Sequence, residues 1–117
     1  MYEQVIQNII ETGIRDNWAN HASPVSSLRE IREKLANRYF SGVKKLTVFG
    51  SFASGKHHEE SDVDLLIECE PNLDIYLFTL NLEKILGRLC DVIELDSCRP
   101  WIKNRIISSP REVVYVR

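Results

Sequence analysis

Asp62 and Asp64, separated by Val63 and running directly into Leu65, Leu66 and Ile67, are the residues of this sequence best suited to chemistry. If the apolar run is a strand, its alternation puts both carboxylates on one face with Cα atoms about 6.7 Å apart, so the side chains can converge on shared cations. Two close carboxylates repel one another unless a metal, a basic partner or open solvent compensates them. Their hard oxygen donors suit magnesium or manganese. The plainer alternative makes Asp62 a loop carboxylate and Asp64 a solvent-facing group at a strand edge.

Ten residues separate Asp62 from an upstream Gly50-Ser51 pair, which sits where a short apolar stretch ends and a segment with helical potential begins. Glycine leaves room for close backbone approach, and amides at a helix start offer unsatisfied donors to an anion. The Ser51 hydroxyl adds one more donor. Gly-Ser alone is a common turn. The fixed spacing carries the weight: with each residue type near 7%, four such residues at these offsets arise by chance on the order of once in several hundred chains of this size.

The surrounding pattern supplies elements that would position these groups. Val5, Ile6, Ile9 and Ile10 at helical spacing predict an amphipathic helix from Tyr2 to about Ile14, with Gly13 as a stop. Ser26 or Ser27 can cap a second helix carrying Leu28, Ile31, Leu35 and Tyr39, ended by Gly42. Lys45 to Phe49 reads as a buried strand, Ser54 to Ser61 as a loop, and Val63 to Glu68 as a second strand. Leu73, Leu77, Leu80 and Ile85 predict a third helix closed by Gly87. A third strand follows over Asp91 to Leu95, then a helix from Pro100 through Ile106 and a β-like segment over Val113 to Val116. This order predicts an α+β (α/β-like) fold with a small mixed sheet flanked by helices. Residues 1–24 would be a helical extension and residues 25–117 one compact domain.

Composition sets the outer limits. The 117 residues hold 44% hydrophobic and 27% charged side chains, the balance of an ordinary globular domain. Fifteen basic against 17 acidic residues give a formal charge of −2, which argues against a long nucleic acid as partner. No apolar run is long enough to span a bilayer and no signal-like start is present, so a cytoplasmic location is expected. Cys69, Cys90 and Cys98 lack C-x-x-C spacing and read as reduced packing thiols. His57 and His58 are expected to be exposed loop residues, as is Lys56. Arg99, Lys103 and Arg105 are left outside the site, and Trp18 and Trp101, although able to stack on a base, read more readily as core or interface anchors.

The stretch GSFASGKHHEESDVDLL resembles the minimal nucleotidyltransferases of the polymerase-β-like superfamily, whose signature is Gly-Ser, ten variable residues and Asp-x-Asp. The resemblance runs from about Leu28 to Val116, with Gly55, Ser61, Leu65 and Leu66 adding to it. It implies a third carboxylate on a later strand, which LGRLCDVIEL supplies as Asp91, with Cys90 in place of the usual valine. It also implies a polymerase-β-like fold and a catalytic triad of Asp62, Asp64 and Asp91 holding two Mg2+ ions. Gly50 and Ser51 would bind the nucleotide, and ATP would be the substrate. Such domains resemble the antitoxin halves of two-gene systems, in which adenylate passes from ATP to a tyrosine of a HEPN-domain ribonuclease toxin. Transfer to a small molecule or another protein, and non-catalytic masking of a toxin, are the alternatives.

Overall fold

The computed structural model describes residues 23–117; the helix expected over Tyr2 to Ile14 and most of the expected extension lie outside them. Four helices and four strands alternate: α1 (Leu28–Leu35), β1 (Val43–Phe49), α2 (Gly50–Ser54), β2 (Val63–Cys69), α3 (Ile75–Leu86), β3 (Cys90–Glu94), α4 (Pro100–Ile107) and β4 (Glu112–Val116). The strands form one mixed sheet in the order β3-β2-β1-β4. β1 runs antiparallel to both β2 and β4, while β2 and β3 are parallel and α3 makes the crossover between them. This is the mixed sheet with flanking helices expected from the sequence.

Local chemistry explains the boundaries. Ser27 caps α1 by accepting from the Glu30 amide, and the Glu30 carboxylate reaches back to the Ser26 amide and hydroxyl, so the orphan donors of the first turn are met from both sides. The helix is shorter than the sequence pattern predicts. It ends at Leu35, Asn37 turns the chain at φ 63°, and Tyr39 lies exposed beyond the helix, leaving Phe40 as the residue that enters the core. At the other end of the fold Gly87 takes the left-handed conformation that closes α3, as its sequence position predicts.

One sheet face carries the main core. Leu46, Val48, Val63, Leu65 and Ile67 are buried there with Ile31 and Leu35 of α1 and with Phe78, Leu82 and Leu86 of α3. The buried face of α3 differs from the expected one: Leu77 and Leu80 are exposed, and Phe78 and Leu82 take their place. Eight of the twelve residues of α3 are large and apolar, so the sequence offers two plausible stripes, and the core meets the one that also contains Leu86.

Candidate active site

The face opposite the main core holds Asp64 and Asp91. Phe49 on β1 pairs with Asp64 on β2, and Asp64 pairs with Asp91 on β3, so these three residues form one cross-strand row. The next row along the strands is Thr47, Leu66 and Ile93. Paired residues in neighbouring strands share a face, so Asp64 and Asp91 project side by side. Asp62 stands one residue before β2 and is exposed.

The turn from β1 into α2 brings Gly50 against this row. Gly50 has φ 71°, a left-handed backbone, and a Cβ built on it would stand 2.2 Å from the Asp64 Oδ2 atom. No residue with a side chain fits there without displacing the carboxylate. The ten-residue spacing thus closes a loop that returns Asp64 to the backbone of Gly50.

Electrostatics single out Asp64. Partial burial, then the Asp91 charge and then the Asp62 charge hold its carboxyl above the ordinary carboxylate range. A divalent cation beside it would offset each of these causes, so the donor chemistry suits a hard metal ion. Among the described residues no three His, Cys, Asp or Glu side chains already converge to enclose a metal, so the carboxylates line an open edge and do not form a closed cage. Cys90, beside Asp91, is a free thiol pushed up to about 12 by burial and by the Glu83, Asp62 and Asp64 carboxylates, which suits a packing role.

The loop between Gly50-Ser51 and Asp62 is held by a residue that the sequence reading passed over. Arg88 follows the Gly87 cap; its Nη1 donates to the carbonyls of Glu59 at 2.8 Å, Ser61 at 3.0 Å and His58 at 3.3 Å, and its Nε donates to the Val25 carbonyl at 2.5 Å. Its guanidinium also lies 5.2 Å from the centre of the buried Phe52 ring. An arginine between the stop of α3 and the carboxylate strand was the available signal. His57, expected to be exposed, is half-buried: its ring stacks on Phe52 at 4.1 Å and Nε2 donates to the Ser26 carbonyl at 2.6 Å. His58, Lys56, Arg99 and Lys103 are exposed. Trp101, read from the sequence as a core or interface anchor, is 60% exposed on α4.

Comparison with known proteins agrees with this geometry. The family profile described as "Nucleotidyltransferase domain" matches residues 28–114. The protein adenylyltransferase MntA of Thermococcus cleftensis is 35% identical over 91 residues, covering 75% of this chain and 83% of the relative. A solved structure described as a "putative minimal nucleotidyltransferase" is 32% identical, with a TM-score of 0.58 over 70% of this chain and 88% of its own. A toxin-antitoxin crystal structure with AMP-PNP shares the fold at 18% identity and a TM-score of 0.59, covering 76% of this chain and 73% of its own. With a polymerase-β-like sheet and this family match, the chain belongs to the nucleotidyltransferase domain family.

Proposed function

We propose that this chain is a metal-dependent protein adenylyltransferase that transfers AMP from ATP to a tyrosine hydroxyl of a HEPN-type ribonuclease toxin, and so serves as its antitoxin. The observation that carries the reading is the close approach of Asp64 Oδ2 to Gly50, which joins the turn at the start of α2 to a carboxylate row. The relative named MntA and the toxin-antitoxin structure with AMP-PNP support the choice of nucleotide and partner.

In this reading Gly50 and Ser51 hold the outer phosphates through backbone amides and the serine hydroxyl. Asp62, Asp64 and Asp91 would hold two Mg2+ ions, which would supply charge neutralisation for an in-line displacement at the α-phosphate. Asp91, at the exposed start of β3, takes up the proton of the attacking hydroxyl, and pyrophosphate leaves. Asp62 and Asp64 keep the triphosphate in register with that hydroxyl. Arg88 keeps the intervening loop, and with it Asp62, in one conformation.

Co-expression with a HEPN-type toxin, followed by mass spectrometry of that partner, tests the assignment. Unaltered protein should add adenylate to the partner's tyrosine, and Asp64→Asn should lower the rate at least about a hundredfold with the fold retained. Undiminished transfer by Asp64→Asn would remove the carboxylate row from the mechanism. Transfer from labelled ATP to a small molecule with no partner present would reassign the acceptor.

A further inference from the structure

Beside the carboxylate row lies a cavity of about 380 Å³ that neither the Gly-Ser turn nor the aspartates explain. Its floor is Phe49, Gly50 and Ile93, and its roof is the face of α4 carrying Trp101, Ile102, Arg105 and Ile106. Phe49 belongs to the same cross-strand row as Asp64 and Asp91, and Ile93 to the next row, so the slot opens on the sheet face that bears the carboxylates. Gly50 belongs to both the turn and the slot lining, so a ligand anchored at that turn is within reach of the slot.

Apart from Ser109, the lining is apolar and aromatic with a single cationic side chain, Arg105. That combination fits a planar, uncharged ring attached to a polyanion: the ring lies against Trp101 and Ile102 while the guanidinium meets negative charge. The volume is at the small end of ligand pockets. Trp101 is 60% exposed, which is costly for an indole with no ligand to cover and reasonable for one that stacks on a base. We propose that the slot between α4 and the sheet is the nucleobase pocket, with Trp101 as its stacking residue and Phe49, Ile93 and Ile102 as the walls that select a planar ring. This rests on the nucleotidyl-transfer reading and adds to it the element that recognises the base.

The chain has two tryptophans, Trp18 and Trp101, so Trp18→Phe leaves the slot residue as the sole reporter. Titration of that variant with ATP and Mg2+ should give saturable quenching of Trp101 emission, and inorganic tripolyphosphate should bind without it. By calorimetry, Trp101→Ala should weaken ATP binding about tenfold, Trp101→Phe should restore most of that loss, and tripolyphosphate binding should stay unchanged in both. Ile102→Trp, which fills the slot from its partly buried roof, should weaken ATP without affecting tripolyphosphate; a melting curve checks its fold. ATP binding that leaves Trp101 emission unchanged and is equal in all variants would overturn the proposal while leaving the transfer reading intact. Quenching and variant effects as expected, with no transfer to any acceptor, would uphold the slot and overturn the transfer reading. No ATP binding by unaltered protein would overturn both.

Discussion

Asp64 shows how one residue can serve the site at the expense of the fold. Its carboxyl is held above the usual range by burial and by Asp91 and Asp62, so the folded chain binds the proton more tightly than the unfolded chain does. The sign follows: as pH rises from the ordinary carboxylate value through the raised one, ionising Asp64 costs folding stability, and the cost is complete above the raised value. In chelator-treated protein, Asp64→Asn should therefore melt a few degrees higher than unaltered protein at pH 7, a gain that should vanish in acid below the ordinary carboxylate range. Partial solvent access keeps the effect small. Thermal scans across pH check it, and a lower melting point at pH 7 would contradict the assigned cause. Gly50 bears the complementary constraint. Gly50→Ala should cost about 1–3 kcal/mol in denaturant titration, from the left-handed backbone, and should abolish transfer by driving Asp64 aside. Arg88→Ala should cost about 1–3 kcal/mol by orphaning loop carbonyls, with faster amide exchange over residues 56–62. Arg88→Lys should recover only part of this, since an ammonium lacks the planar fork.

Among the elements, the strands and their order were legible because short β-branched runs bounded by Gly, Pro and polar residues leave few alternatives. Of the candidate site, strand alternation accounts for the face that Asp64 takes, whereas Asp62 stands just before the strand and Asp91 came from the resemblance alone. Helix faces were less so. In α3 apolar residues surround the axis, and only the sheet decides that Phe78 and Leu82 turn inward while Leu77 and Leu80 remain outside. Leu82→Ala should accordingly cost about 2–5 kcal/mol, whereas Leu77→Ala should stay within about 0.5 kcal/mol, as equilibrium unfolding would show. The end of α1 was misjudged because Tyr39 continues the helical spacing; the turn at Asn37 comes from a local backbone choice that the apolar pattern does not encode. Arg88, marked in the sequence only by its place after the Gly87 stop, and the slot under α4, not marked at all, escape the pattern for a different reason. Both depend on contacts between segments far apart in sequence, and no spacing rule within one element reports them.

For the whole molecule, the sheet separates two tasks. One face is fully occupied by the core with α1 and α3, and the other is left to the carboxylates and α4. No helix among the described residues is long and apolar enough to cross a membrane. The family match begins at Leu28, where α1 begins. Physical dependence begins earlier. Val25 is fully buried and its amide donates to the Leu86 carbonyl, its own carbonyl receives Arg88, and the Ser26 carbonyl receives His57. Val25 and Ser26, just ahead of the homologous stretch, therefore act as a keystone for the loop that carries Asp62. A protein trimmed to residues 28–117 should melt lower and transfer adenylate more slowly than one trimmed to 23–117, with its four strands intact. An engineer who cuts this domain where similarity stops would keep Asp62, Asp64 and Asp91 and lose the carbonyls that hold the Asp62 loop still.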